Sequence, residues 1–258
     1  MKRILAVDLG NSSISIGLFD GNEIVAKERL KTLLSGTVRE YRDKFDGLIK
    51  VFGIERLGGV IISSVVPELT ETLSTALSEV TSIKPLVLGL DIDSGLSFDV
   101  LKPEEVGPDR IANVVGAAML YGAPAIAVDF GTATTFSIIR DNTFIGGTIM
   151  PGLEMMARAL NAYTSRLPLV DLTVIDEKID LPGKDTMENI ISGIIYGTAG
   201  AVERIIGEIE SRGESPFNVV LTGGFSVIMA RFIRRVFFLD PDLTLKGLRF
   251  IYERKDNA

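Results

Sequence analysis

Residues 6–25 read AVDLGNSSISIGLFDGNEIV, and residues 127–146 read AVDFGTATTFSIIRDNTFIG. Laid one over the other, Ala6, Val7, Asp8, Gly10, Asp20 and Ile24 meet identical residues at Ala127, Val128, Asp129, Gly131, Asp141 and Ile145. Each stretch is an apolar strand ending in Asp-x-Gly, then a hydroxyl- or amide-rich turn, a second strand and a polar turn. A unit met twice in one chain predicts a duplicated α/β fold. Two such units facing each other would make a cleft with two carboxylates and two phosphate-sized loops. That arrangement suits phosphoryl transfer from a nucleotide.

The residues around each copy support the duplication. Strands are expected at 3–9, 13–19 and 23–30, with Asp20-Gly21-Asn22 as a hairpin turn. Val38, Tyr41, Phe45, Leu48, Ile49 and Phe52 recur at spacings of three and four, which predicts a helix over 35–53. A strand at 58–66, a helix at 68–80 and a strand at 85–89 complete one half of an actin-like or ribonuclease-H-like fold. An Ala-rich helix at 111–121 follows, with Pro108 suited to its first turn. The second copy predicts strands at 125–130, 134–140 and 143–149, then helices at 153–163 and 186–212. A strand at 217–221 and a helix at 226–237 come last, and Glu253–Asp256 reads as a solvated tail. The expected domains are 1–120 and 121–258, both of the actin-like ATPase type and flanking a nucleotide cleft.

Composition removes whole classes of chemistry. The 258 residues include no Cys and no His. Thiol nucleophiles, disulfides, imidazole bases and the usual zinc sites are excluded. Acid–base work falls on Asp, Glu, Lys or Tyr, and a metal would be a hard cation held by oxygen, such as Mg²⁺ or K⁺. Net charge is −7 with no Lys/Arg cluster to offset it, so nucleic acid is not an expected partner. Asp8 interrupts the apolar run of MKRILAVDLG, which reads as a buried strand and not a signal peptide. The stretch Ile111–Val128 contains Asn113, two glycines and Pro124 and is not read as a membrane span. The expected location is the cytoplasm.

Asp8-Leu9-Gly10-Asn11-Ser12-Ser13 is either a plain hairpin turn or a phosphate cradle. In the second case glycine admits the phosphate, successive N–H groups hold its oxygens, and Asp8 orients Mg²⁺. Its repetition at Asp129-Phe130-Gly131-Thr132-Ala133-Thr134-Thr135 favours the cradle. Gly107-Pro108-Asp109-Arg110 has two readings as well. Asp109 either favours the helix dipole or serves as base for a substrate hydroxyl, and Arg110 is either a surface charge or a carboxylate clamp. Gly146–Gly152 is a tight turn or a close backbone approach, and Thr222-Gly223-Gly224 a turn that could underlie an adenine ring. Asp185-Thr186 caps the long helix, with Glu188 placed as in a capping box. Gly193, Gly197 and Gly200 on that helix predict close packing, either between domains or between subunits. Phe45, Phe52 and Phe217 read as core.

Taken in order, D-x-G-N-S, G-P-D-R, D-F-G-T-A-T-T, G-G-T-I-x-P-G, T-x-x-x-I-x-S-G and L-T-G-G resemble the motif set of the type III pantothenate kinases, as does the ending Leu243–Leu248. The resemblance implies a duplicated fold of the acetate-kinase, sugar-kinase and actin type, working as a homodimer. It implies transfer of the ATP γ-phosphoryl group to pantothenate, the first step of coenzyme A synthesis. Ala6, Val7, Asp8, Leu9, Gly10, Asn11, Ser12 and Ser13 match the family's phosphate-binding loop. Asp109 matches its proton acceptor, within a substrate-contacting Gly107, Pro108, Asp109 and Arg110. Asp129 matches its monovalent-cation ligand (K⁺ or NH₄⁺), and Thr132 an ATP contact. Thr186 matches a threonine that reaches pantothenate from the neighbouring subunit. Two positions depart from the pattern: Val100 stands where some members place a Tyr, and Ser12 where many have Thr. Rival readings are another small-molecule kinase of the same fold, an actin-like filament former, and a transcription-accessory relative.

Overall fold

A computed structural model describes residues 3–175, 178–212 and 216–256, the side chain of Asp256 excepted. The chain forms two compact units. One comprises Met1–Gly116, Asn142–Phe144 and Leu243–Ala258; the other comprises Ala117–Asp141 and Ile145–Asp242.

The first unit is built on five strands. β1 (Arg3–Leu9), β2 (Ser13–Asp20) and β3 (Glu23–Lys31) form an antiparallel meander. α1 (Val38–Val51) then leads to β4 (Gly59–Ser64), which lies parallel to β1, and α2 (Pro67–Thr81) leads to β5 (Leu86–Val87), parallel to β4. The spatial order is β3-β2-β1-β4-β5. β1 is central, and residues on both of its faces are buried, which is why its sequence runs apolar almost without alternation. Leu5, Val7 and Leu9 face α1 and α2 through Tyr41, Phe45, Leu69 and Leu73. Thr37 and Glu40 close a full capping box on α1, with Glu40 N–H donating to Thr37 Oγ1 at 3.3 Å and Thr37 N–H to Glu40 Oε2 at 2.8 Å.

The opposite face of this sheet carries Ile4, Ala6, Phe19 and Ile61. A short strand β6 (Ser97–Phe98) and a 3-10 turn (Pro103–Glu105) precede α3 (Pro108–Tyr121), whose first half covers that face with Ile111, Ala112 and Val115. The chain's last helix returns to the same place, adding Leu245, Leu248 and Ile251. The charged residues expected as a solvated tail are the end of this packed helix, with Arg254 and Lys255 exposed. Within it Arg249 is buried, with its guanidinium over Phe250 and bonded to Asn22 and Glu253, and Arg254 pairs with Asp93 at 3.0 Å. A division at residue 120 assigned this helix to the second half. Its apolar stripe instead buries against the first sheet.

The second unit repeats the plan. β7 (Ala125–Phe130), β8 (Ala133–Arg140) and β9 (Thr143–Pro151) come first, then α4 (Leu153–Ala162), α5 (Thr186–Ser211), β10 (Asn218–Thr222), α6 (Ser226–Met229) and β11 (Phe238–Leu239). The order β11-β10-β7-β8-β9 is that of the first sheet. The opening residues of β9, Thr143 and Phe144, count with the first unit, where they pair with Ser97 and Phe98 of β6. The last helix of the chain, α7 (Leu243–Asp256), follows. The helix expected over 226–237 is only one turn long. The chain must come back to lay Phe238 and Leu239 beside Val220 and Leu221, and a straight helix of that length would carry it past.

The two copies do not keep one register. β1 and β7 align at an offset of 121, but Asp8 pairs with Ser15 while Asp129 pairs with Thr135, so the second copy has a turn one residue shorter. Gly10 N–H accordingly closes on Ser13 O at 3.0 Å, and Gly131 N–H on Ala133 O at 3.1 Å. Beyond the turn the equivalent of Gly21 (φ 60°) is Asp141 (φ 51°), both left-handed at the hairpin tip. The identities Asp20/Asp141 and Ile24/Ile145 are thus one residue out of structural register.

α5 is long and apolar enough by composition to cross a membrane. Here it is the central helix of the second core, where Ile190, Ile194, Ile195, Ala199, Val202 and Ile206 pack on Ile126, Val128, Val219 and Leu221. Its glycines 193, 197 and 200 make no close approach: a Cβ added at any of them meets nothing within 4 Å. The close helix contact lies elsewhere in the chain. A Cβ on Gly247 would collide with the Ala112 carbonyl, and one on Gly116 would come within 2.8 Å of Leu243 O, so α3 and α7 touch backbone to backbone.

Candidate active site

In the first unit, Asp8 lies at the carboxyl end of β1, partly buried, in register with Ser15 on one side and Ser63 on the other. The loop after it is held from β3. Thr32 Oγ1 donates to Gly10 O at 2.7 Å, Thr32 N–H to Ser12 O at 3.2 Å, and Arg29 Nε to Ser13 Oγ at 2.9 Å. Asn11 and Ser12 stand exposed at its tip. A braced turn with an exposed amide and hydroxyl at its tip, next to a partly buried carboxylate, suits a phosphate cradle.

Gly107–Arg110 lies close by through Val65. Val65 N–H bonds Leu9 O at 3.1 Å, and a Cβ on Gly107 would sit 3.7 Å from the Val65 side chain. The same Cβ would come within 2.5 Å of Asp109 Oδ1, so only glycine lets the carboxylate fold back over the backbone there. Asp109 Oδ1 accepts the Arg110 N–H at 2.8 Å. Burial pushes the Asp109 carboxyl above its ordinary range and outweighs the lowering from that hydrogen bond and from the Arg110 charge. Burial likewise pulls the Arg110 guanidinium below its ordinary value, with Asp109 opposing. The guanidinium carbon of Arg110 lies 5.4 Å from the centre of the Phe144 ring. Asp109 is thus desolvated at the helix start, unlike an exposed residue, which gains from the helix N-terminus without that cost.

In the second unit, Asp129 occupies the place Asp8 has in the first, in register with Thr135 and Thr222. Two glycine turns close on it. Gly223 (φ 89°) lies so near that an added Cβ would strike Asp129 Oδ1 and come within 2.7 Å of Phe130 N. Gly152 donates to Thr132 O at 3.2 Å, and a Cβ on it would collide with the Gly131 and Thr132 carbonyl oxygens. Gly152 and the turn at Gly223 are thus backbone walls around Asp129–Thr132, whereas Gly146–Pro151, expected as part of a tight turn, continue β9, and a Cβ at Gly146 meets nothing within 4 Å among the described residues. The Thr222 hydroxyl is fully buried and makes no hydrogen bond among the described residues, and the same is true of Ser63 beside Asp8. Each carboxylate therefore has an oxygen donor on a flanking strand. A hard cation fits this chemistry, with Asp129, Thr222 and the nearby carbonyls serving one ion and Asp8 with Ser15 and Ser63 another.

Thr132 is exposed. Thr186 is exposed too, at the first position of α5. The capping bond is made by Asp185, which accepts Glu188 N–H at 2.9 Å, and Glu188 reaches back to Lys184 N–H at 2.6 Å. The structure brings Ala6–Ser13 and Gly107–Arg110 together in the first unit and sets Asp129 beside Thr132 in the second. Thr222 is expected only as part of a turn that could underlie an adenine ring; Arg29, Thr32 and Ser63 escape sequence reasoning altogether. Each sits on a strand, or just past one, with no motif around it, and only strand register places it.

The family model of the type III pantothenate kinases matches residues 4–208. The chain is 37% identical over 258 residues to the type III pantothenate kinase of Agathobacter rectalis, covering 98% of each chain. Among solved structures it resembles a putative Baf family transcriptional activator from Campylobacter jejuni, with a TM-score of 0.61 and 19% identity over 98% of this chain and 100% of that one. It also resembles a ROK hexokinase from Thermus thermophilus, with a TM-score of 0.53 and 13% identity over 98% of this chain and 99% of that one. The structural likenesses establish the duplicated actin-like ATPase fold. The full-length sequence match and the family model establish more: this chain belongs to the type III pantothenate kinase family.

Proposed function

We propose that this chain transfers the γ-phosphoryl group of ATP to the primary hydroxyl of pantothenate, giving 4′-phosphopantothenate for coenzyme A synthesis in the cytoplasm. The observation that carries the reading is Asp109, a carboxylate desolvated at a helix start beside a half-buried arginine, in a chain with no His or Cys to serve instead.

Asp109 accepts the hydrogen bond of the pantothenate hydroxyl and orients its oxygen toward the γ-phosphorus. As that oxygen bonds to phosphorus, the bond to the β–γ bridging oxygen breaks, ADP leaves and the hydroxyl proton passes to Asp109. The transition state is loose, so alignment and charge neutralisation matter more than early deprotonation. Arg110 clamps the substrate carboxylate. Ala6–Ser13 and Thr132 hold the ATP phosphates, and Gly223-Gly224 lies under the adenine. Asp8 would hold Mg²⁺, and Asp129 a K⁺ or NH₄⁺ ion. When bound, these ions neutralise phosphate charge. No group of three or more Asp or Glu converges among the described residues, so the divalent ion would share its coordination with phosphate oxygens and water.

The functional form we infer is a homodimer, with Thr186 reaching the neighbouring subunit's substrate. The uncovered glycines of α5 support this, since they leave a smooth helix face for a second copy. ADP release from the purified protein, measured with and without pantothenate in K⁺ and then Na⁺ buffer, tests the reading. Release that requires pantothenate and K⁺ is expected. Release independent of pantothenate would send the search to another acceptor.

A further inference from the structure

The duplication is broken at one place in the second copy. β9 corresponds to β3 at an offset of 120, which sets Phe144 opposite Ile24. β3 is an edge strand, whereas β9 carries the extra strand β6 on its outer side. Among the described residues β6 has no counterpart in the first copy. It brings Phe98 into register with Phe144, and the two rings lie 6.0 Å apart and tilted at 40°.

Three contacts converge on Phe144. Its carbonyl accepts Asp99 N–H at 2.9 Å, fixing the start of the segment that runs through the 3-10 turn to Gly107. Its ring, 1% exposed, backs on Phe98. The guanidinium carbon of Arg110 lies 5.4 Å from its ring centre. A guanidinium held over an aromatic ring is attracted to the ring's negative face, and this contact uses none of its N–H groups as a hydrogen-bond donor. Desolvation strengthens the attraction, and Arg110 is partly buried. Ile24, at the equivalent place, could fill the same space without attracting a cation.

We propose that Phe144, backed by Phe98, is a positioning residue for Arg110: the ring holds the guanidinium so that its N–H groups meet the substrate carboxylate. The proposal rests on the assignment of Arg110 as the carboxylate clamp. It places an unassigned aromatic pair in substrate recognition and explains why the second copy gained a strand.

The test is a double-mutant cycle on pantothenate kinetics with Phe144→Leu, Arg110→Ala and both together. Phe144→Leu keeps an apolar side chain and removes the ring. It is expected to raise the pantothenate KM by roughly 3- to 30-fold, the loss of one desolvated cation–π contact, with kcat and the ATP KM little changed. In the Arg110→Ala background the same substitution is expected to add nothing. Phe98→Leu, which leaves the Phe144 ring in place, should give a smaller rise in the pantothenate KM alone, and it serves if Phe144→Leu does not fold. An equal rise in both backgrounds would make Phe144 a packing residue and overturn the proposal, as would a fall in kcat together with a raised ATP KM. If Arg110→Ala leaves the pantothenate KM unchanged, the clamp assignment itself fails. If Arg110→Ala raises it and neither Phe variant does, only the positioning role fails.

Discussion

Gly223→Ala should separate the backbone architecture of the second unit from its chemistry. Gly223 has φ 89°, and a Cβ there would come within 2.7 Å of Phe130 N and 2.8 Å of Phe130 C, besides striking Asp129 Oδ1. An L-residue in that region loses about 1–2 kcal/mol. The contacts with Phe130 involve backbone of the central strand β7, which cannot turn aside as a side chain could, so overpacking adds about 1–3 kcal/mol. Together these amount to about 2–5 kcal/mol, or roughly 4–20 °C in Tm at 2–4 °C per kcal/mol for a chain of this size. The carboxylate must also move, since the new methyl takes its place. The K⁺ concentration for half-activation is expected to rise about tenfold, while the pantothenate KM stays near its original value. Thermal denaturation and a K⁺ titration of ADP release measure both effects. A variant that melts and responds to K⁺ as the parent does would show that Gly223 does not wall Asp129, and would refute the steric reasoning.

Four further outcomes are expected. Asp109→Asn should lower kcat by about 10²–10⁴-fold, the usual contribution of a positioned base, and still bind ATP in a direct titration. The raised carboxyl of Asp109 also sets a sign for stability. A folded-state pKa above the unfolded one favours the fold at low pH and is lost as pH rises through the folded pKa, so Asp109→Asn should melt above the parent at pH 7. That advantage should vanish below about pH 4, where the unfolded carboxyl is protonated too, and a pH series of melts in which it persists would contradict the burial argument. Gly197→Leu starts from an exposed position where a Cβ meets nothing within 4 Å beyond its own helix among the described residues. It should therefore fold as a monomer, and an unchanged dimer mass by sedimentation would remove α5 from the subunit contact. Tyr121 donates to Asp240 at 3.0 Å, and burial together with that carboxylate raises its hydroxyl to about 12, so it stays protonated at working pH. Tyr121→Phe should lose about 1–2 kcal/mol in urea denaturation with an unaltered pantothenate KM, and a change in that KM would place the pair in the reaction.

The parts of the proposed site carried by contiguous residues could be named from the sequence. Asp8 to Ser13, Gly107 to Arg110 and Asp129 to Thr132 each combine a carboxylate or hydroxyl with a glycine at short spacing, and each lies where its strand or helix puts it. The strand runs were legible too, because β1 and β7 are central and buried on both faces, which forces apolar sequence. Local pattern failed where the element's fate depended on distant partners. The stretch 226–237 has helical composition, yet β11 must pair with β10, so the helix stops after one turn. Glu253–Asp256 are expected as a tail, and Arg254 and Lys255 are exposed, yet they end a helix whose Leu245, Leu248 and Ile251 form a stripe with its complement on a sheet some two hundred residues earlier. The glycines of α5 do not pack within the chain, which leaves only the subunit alternative for them, while a close helix contact forms at Gly116 and Gly247, whose neighbours in sequence give no sign of it.

By itself the sequence determined that the chain is duplicated and that it carries neither thiol nor imidazole chemistry, and it offered the short motifs proposed to carry phosphate and acceptor. Those properties follow from residue type and near-neighbour spacing. Only the tertiary structure decided the register of the two copies, the one-residue difference in their turns, and the buried hydroxyls Ser63 and Thr222 that flank the two carboxylates. It also decided the strand β6 that seats Phe98 on Phe144 beside Arg110. The physical reason is common to all of them: strand pairing and burial are set by residues far apart in sequence, so no local pattern can encode which side chain meets which.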